Sequence, residues 1–441
     1  MQSLAQKVLQ PQNSHKILLI FDKFKDTLPS AQICQIVREK LQQFEQQNLK
    51  PENKYLLINE VPVSDGGDGF VNCMFQVLRN NRISPKIKHL DDLGGSYTLD
   101  DRRCSIQLLK TNILDPLMRQ KQTEYLLDQE NQTAYIEVAN SSGLQMLSLD
   151  ERDPFKASSI GTGMLIKHCY EEHQVKRIVI GSGGSAFVDG GIGAMIGLGI
   201  YKLNQDLNVD YNKLQNVLEH LVHDEALHQK LSDDLEFILP CDVQNPMLGI
   251  NGAAFVFGPQ KGAKPEDLLI LDQRMEQTMK FYLQNRYKAE YNDEQLHNIA
   301  NIPGTGAAGG LVAALISNFN NVQVVNGMNY LSTLIDLETQ IKDSSVVFTG
   351  EGSFDSQTLE GKVVCKINEL CQKHQKPMII ICGINKLNQT EINLLLTTNP
   401  KLQVYDLVSN YGLEKSLKQT ANCLAQLTEN SVIPNIQQYI Y

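Results

Sequence analysis

Residues 177–198 constrain the fold more than any other stretch of this chain. They read Arg177-Ile-Val-Ile, then Gly181-Ser-Gly-Gly-Ser-Ala-Phe-Val-Asp189-Gly-Gly191, then Ile192-Gly-Ala-Met-Ile-Gly-Leu198. The β-branched opening, uncharged after Arg177, predicts a short buried strand. The middle predicts a loop, and the small apolar end predicts a helix packed closely on a sheet. Successive glycines let backbone N–H groups converge without side chains in the way, and at a helix start such groups make an anion site. Ser182, Gly183, Gly184 and Ser185 are the candidate cradle. Asp189, inside the same loop, would repel a phosphate. A role as catalytic base, metal ligand or helix cap would each explain its presence.

Other strands run into loops of the same kind. Residues 16–21 are an apolar strand ending in Asp22-Lys23-Phe24-Lys25, followed by a helix over 31–46. Polar residues after a strand are where α/β ligands bind, so Lys23 and Lys25 are candidate phosphate contacts. A second strand over 55–63 leads into Ser64-Asp65-Gly66-Gly67-Asp68-Gly69. Two acids among three glycines suit Mg²⁺ through oxygen ligands, and they suit a plain turn equally well. Residues 86–90, 96–99 and 104–109 read as short hairpin strands, 119–133 as a polar excursion, and 204–235 as a charged helical insert. Within that insert His220, His223 and His228 read as a solvated helix face rather than a metal site. Further along come Cys241-Asp242, Gly258-Pro-Gln-Lys261-Gly-Ala, a long helix over 264–287, Pro303-Gly304-Thr-Gly306, and Thr349-Gly350-Glu351-Gly-Ser-Phe-Asp355.

Strand and helix alternate at both ends of the chain, as a parallel sheet requires. The expected fold is therefore α/β with two domains. A Rossmann-like, doubly wound parallel sheet would form from residues 1–75 and 300–441. A mixed α/β domain would be inserted over 76–299, with the active site in the cleft between them.

The chain's charge narrows its partners. Lys and Arg number 40 against 50 Asp and Glu, a net charge of −10, which argues against a nucleic-acid surface. No apolar run reaches ~18 residues, so no membrane span is expected. The polar stretch 1–16 lacks an apolar signal core, and the nine cysteines form no C-x-x-C pair. Reduced thiols in a cytoplasmic protein, monomer or homodimer, are the expectation.

Residues 181–186 fit the G-x-G-x-x-A dinucleotide pattern, but the acid due about 20 residues on follows no strand. Walker and protein-kinase signatures are absent. Glycine loops, lysines and loop carboxylates without a His or Cys nucleophile suit phosphoryl transfer, which needs positioning and charge stabilisation. A nucleotide-linked oxidoreductase of a small hydroxy acid and a non-catalytic ligand-binding relative are the alternatives.

Nine ordered blocks carry a resemblance. They are residues 22–28, 62–69, 136–144, 159–163, 180–191, 241–246, 256–262, 303–310 and 349–358. Through them the chain resembles the type-1 glycerate kinases nearly end to end. The resemblance implies ATP and Mg²⁺ as cofactors and D-glycerate as acceptor, phosphorylated at its 2-hydroxyl. Under it Asp189 is the candidate catalytic base, with Lys25 in the catalytic set. Lys23, Ser64, Gly66, Gly67, Lys261, Gly304, Gly306, Thr349, Gly350, Glu351 and Asp355 join the 182–185 loop as substrate or phosphate contacts. Asp65, Asp68 and Asp242 are the candidate metal ligands. The chain departs from the family's usual residues at Lys23 (Ser), Met164 (Glu) and Ser353 (Arg).

Overall fold

The computed structural model describes residues 14–24, 27–48, 55–61, 63, 66–67, 69–82, 105–203, 218–356, 358 and 363–440. In chain order, the strands of its two large sheets are β1 (Ser14–Phe21), β2 (Tyr55–Glu60), β3 (Ile106–Leu114), β4 (Gln120–Asp128), β5 (Thr133–Glu137), β6 (Arg177–Gly181), β7 (Glu236–Pro240), β8 (Val322–Val325), β9 (Val346–Gly350), β10 (Met378–Cys382) and β11 (Leu402–Asp406). The helices that position the candidate sites are α1 (Ser30–Asn48), α2 (Phe70–Arg82), α3 (Ile160–His173), α4 (Ile192–Leu198), α5 (Leu268–Tyr287), α6 (Leu311–Asn318) and α7 (Val363–Lys373).

The chain divides into two compact units, one of residues 1–63 and 331–441, the other of residues 64–330. The first holds a five-stranded sheet in the order β11-β10-β9-β1-β2, with every pairing parallel. Its strands are apolar on both faces: Ile17, Leu18, Leu19, Ile20 and Phe21 are all buried. A continuous apolar strand demands cover on each side. On one face lie Ile33, Val37 and Leu41 of α1, whose spacing makes one helical stripe, together with Leu424, Leu427 and Ile436 near the C-terminus. Helix α7 packs on β9 and β10. The sheet is doubly wound, as expected.

The second unit holds a six-stranded sheet, β8-β7-β6-β5-β4-β3. Strands β5 to β8 are parallel, while β3 and β4 are antiparallel neighbours. Ala134, Ile136, Ile178, Ile180, Phe237 and Leu239 build the core with Leu165 and Ile166 of α3, Ile192 and Met195 of α4, and Leu311 and Leu315 of α6. Helix α2 packs on β3, β4 and β5.

Several expectations need correction. The boundaries fall at 63/64 and 330/331 rather than 75/76 and 299/300. Helix α2 follows β2 in sequence but belongs to the other sheet, and β8 pairs with β7. The polar stretch within 119–133 is largely strand β4, exposed at Gln120, Lys121 and Gln122 and buried from Tyr125 to Asp128. His228 is buried rather than solvated. Its Nδ1 meets His223 Nε2 at 2.8 Å, and its Nε2 meets the Asn318 carbonyl. The strands expected at 86–90 and 96–99, and much of the 204–235 insert, lie outside the described residues.

Helices α3 and α4 touch at backbone distance because glycines face the contact. A Cβ on Gly163 would stand 1.9 Å from the Ala194 carbonyl oxygen, and one on Gly197 2.3 Å from that of Ile160. Gly163→Ala must push α4 away, and over-packing of this kind costs about 1–3 kcal/mol. The expected outcome is a lower denaturant midpoint with an unchanged slope. An unchanged midpoint would show that the helices separate freely.

Candidate active site

Strands β5 to β8 run parallel, so their C-terminal ends share one edge of the sheet. Glu137 lies beside Gly181 there, and Pro240 beside Val325. The 182–191 loop leaves β6 at this edge and meets two other loops at backbone distance. Gly183 N donates to the Gly66 carbonyl at 3.0 Å, and a Cβ on Gly183 would lie 2.5 Å from Gly67 Cα. Gly66 has φ +83°, and its Cβ would meet the Pro240 carbonyl oxygen at 2.7 Å, so only glycine fits. Leu144 N donates to Gly184 O at 2.8 Å, and Ala186 N to Ser142 O at 3.0 Å. Gly304 lies against Cys241 and Val243, and Gly306 N donates to Asn245 O at 3.0 Å. The structure thus gathers Gly66, Gly67, Ser182, Gly183, Gly184, Ser185, Asp242, Gly304 and Gly306 at one sheet edge.

Asp242 is half-buried at the end of β7. Its Oδ1 accepts from Asn326 Nδ2 at 2.7 Å and from Gly327 N at 2.9 Å. Among the described residues no group of three or more His, Cys, Asp or Glu could hold a metal ion. Mg²⁺ usually takes only one or two carboxylates and completes its shell with water and phosphate. A half-buried carboxylate at a strand end fits that demand. Lys25, Ser64, Asp65 and Asp68 lie outside the described residues.

Asp189 is placed differently from a substrate-facing base. It is 2% exposed. Its Oδ1 accepts from Gly191 N at 2.9 Å; its Oδ2 accepts from Ser159 N at 2.9 Å, Ser159 Oγ at 2.8 Å and Gly193 N at 3.2 Å. Four donors match the roughly four lone-pair positions of a carboxylate. Burial pushes its carboxyl up, against the pull of those donors. This geometry supports the capping reading. Asp189 fastens the start of α4 to the start of α3, and Ser159 Oγ accepts in turn from Ala194 N at 2.7 Å.

Lys261 also turns inward. It is 2% exposed, and its Nζ donates to Ser185 Oγ at 2.8 Å and Phe187 O at 2.7 Å. Glu137 is a residue the sequence reading passed over. Fully buried, it accepts from Gly69 N at 2.8 Å and Val71 N at 3.1 Å, which anchors the start of α2. The signal was available: an acid closing an otherwise apolar strand.

In the other unit the strand order is that of a doubly wound sheet in which successive strands are added to one side of β1 (β2) and then to the other (β9, β10, β11). Ligands of such sheets bind outside the strand ends at that point. Asp22 and Lys23 follow β1; Glu351 follows Gly350 at the end of β9. Asp22 N donates to Gly350 O at 2.9 Å, and Lys23 N to Asp22 Oδ1 at 2.7 Å. Lys23, Thr349, Gly350 and Glu351 therefore share this edge. Gly350 is there for packing, since a Cβ would stand 1.7 Å from Ile381 O. The Thr349 hydroxyl is buried with no hydrogen-bond partner among the described residues. Ser353 Oγ donates to Asp355 Oδ2 at 3.0 Å.

The chain matches the Glycerate kinase family over residues 17–99 and 94–433. It is 30% identical over 375 residues to the glycerate 2-kinase of Escherichia coli K12, which covers 83% of this chain and 85% of that protein. It is 26% identical over 428 residues to a glycerate kinase of Bacillus cereus, covering 92% and 97% of the two chains. A solved structure from Salmonella typhimurium LT2, provisionally named glycerate kinase 2, is similar with a TM-score of 0.67 at 28% identity, covering 97% of this chain and 100% of that one.

The Asp189 geometry generates a stability prediction. Asparagine has one acceptor oxygen, so in Asp189→Asn its NH₂ group must face N–H donors whichever way it turns. Leaving such donors unmatched costs about 1–3 kcal/mol. The variant is expected to unfold at lower denaturant concentration than wild type. An unchanged midpoint would show that the carboxylate does not hold the two helix starts together.

Proposed function

The chain belongs to the glycerate kinase family, and on that footing we propose that it transfers the γ-phosphoryl group of ATP to the 2-hydroxyl of D-glycerate, with Mg²⁺ as cofactor. The observation that carries this reading is the convergence of glycine-rich loops at the C-terminal edge of the β5–β8 sheet, beside Asp242.

The chemistry follows from what that edge offers. Loop N–H groups other than those of Gly183, Ala186, Gly190 and Gly191, which bond within the protein, would join the serine hydroxyls Ser182 and Ser185 as hydrogen-bond donors for phosphoryl oxygens without adding bulk. Asp242 would hold Mg²⁺, with Asp65 and Asp68 as proposed partners; the bound ion neutralises charge on the phosphate oxygens. Phosphoryl transfer asks little of a proton acceptor and much of positioning. Asp189 accordingly serves by fixing the loop rather than by taking the glycerate proton. In the other unit, Lys23 at the β1/β9 switch point is the proposed nucleotide contact. The free thiols support a reducing compartment such as the cytoplasm; of the described cysteines all but Cys365 are buried. No helix among the described residues is long and apolar enough to cross a membrane.

Purified protein is expected to phosphorylate D-glycerate with ATP, to stop when EDTA is added, and to yield 2-phosphoglycerate by ³¹P NMR. Absence of turnover from folded protein would overturn the assignment, and a 3-phosphoglycerate product would move the acceptor hydroxyl. Lys23→Met should raise the KM for ATP about tenfold, the loss of one charge-assisted hydrogen bond. An unchanged KM would return Lys23 to the solvent.

A further inference from the structure

Lys261 is a buried cation that phosphoryl transfer, as described above, does not use. It sits in the short turn Pro259–Lys261, and both of its hydrogen bonds run to the 182–188 loop. Its ammonium lies 5.7 Å from the Phe187 ring centroid. The side chain is enclosed, so an anion cannot touch it without displacing the loop.

Ser185 is the informative partner. Its oxygen accepts from a charged donor, which leaves its own hydrogen to donate and polarises that O–H bond. We propose that Lys261 is a positioning residue: it braces the 182–188 loop from beneath and sets the Ser185 hydroxyl as a donor to the anion held on that loop. The proposal rests on the loop being the phosphate site.

Its charge adds a second consequence. Burial pulls the Lys261 amine down to about 7. The titratable group whose charge opposes that fall is Asp189. Arg152, on the neighbouring segment, directs its guanidinium to the Gln260 carbonyl at 3.4 Å. An anion arriving on the loop favours the protonated amine, so binding tightens as the amine gains its proton and weakens as pH rises through its pKa.

The test compares wild type with Lys261→Met, Lys261→Arg and Ser185→Ala. Amide hydrogen exchange without ligand reads the brace directly. Residues 182–188 should exchange about tenfold faster in Lys261→Met, and much of the protection should return in Lys261→Arg. Steady-state kinetics with ATP and D-glycerate read the second part. Wild-type KM for the substrate seated on the loop should rise between pH 6 and pH 9. In Lys261→Met it should be about tenfold higher at pH 6.5 and flat with pH. Ser185→Ala should raise KM while loosening the loop less than Lys261→Met does, because the bond to the Phe187 carbonyl remains, which keeps the idea testable if Lys261→Met does not fold. Wild-type exchange in Lys261→Met, or a KM that ignores Ser185→Ala, overturns the proposal. A wild-type protein that binds neither substrate would sink the phosphoryl-transfer reading instead, and the exchange data would still decide the brace.

Discussion

A buried carboxylate dictates the local order of the unit formed by residues 64–330. Asp189 has almost no access to water, so its charge must be met by protein donors or not at all. They come from Ser159 at the start of α3 and from Gly191 and Gly193 at the start of α4. Each is a helix N-terminus, where orphan N–H groups need an acceptor and the backbone field favours a negative charge. One side chain thus satisfies two helix ends. It fixes their relative position, and the glycine contact between α3 and α4 requires that position to hold within a fraction of an ångström.

The loop that results is held by buried charges of both signs that do not pair directly. Asp189 is saturated by neutral donors, and Lys261 is bonded to a hydroxyl and a carbonyl. A direct ion pair would spend both charges on each other. Keeping them apart, each within neutral partners, leaves the Lys261 field available to act on whatever lies on the loop. It also explains why burial dominates the shift of each group, up for the acid and down for the amine.

Most of the architecture was legible because strand and helix periods are local. The alternation at the chain ends predicted a doubly wound sheet, and the glycine clusters predicted strand-end loops that the structure gathers. What escaped depends on partners distant in sequence. Strand β4 reads as a polar excursion because its outer half is solvated; only pairing with β5 reveals the inner half as core. Helix α2 follows β2 directly in sequence, yet it packs on the sheet of β3 to β5. The sequence offered Asp189 both as base and as cap. What separates the two is the number of donors around it, and half of them come from Ser159, thirty residues earlier. Lys261 reads as a loop lysine beside a glycine, because nothing local announces that Ser185 and Phe187 will enclose it.

The same reasoning narrows where ligand-facing charge can come from. If Asp189 and Lys261 are consumed in building the loop, the groups left at the β5–β8 edge among the described residues include backbone N–H groups, small hydroxyls and the half-buried Asp242. The described part of that surface is rich in fixed dipoles. A reaction whose transition state spreads negative charge over several oxygens is well served, because preorganised dipoles need no reorientation as that charge shifts. On the proposed phosphoryl transfer, the buried charges would act indirectly, by making the loop stiff enough for its dipoles to stay aimed.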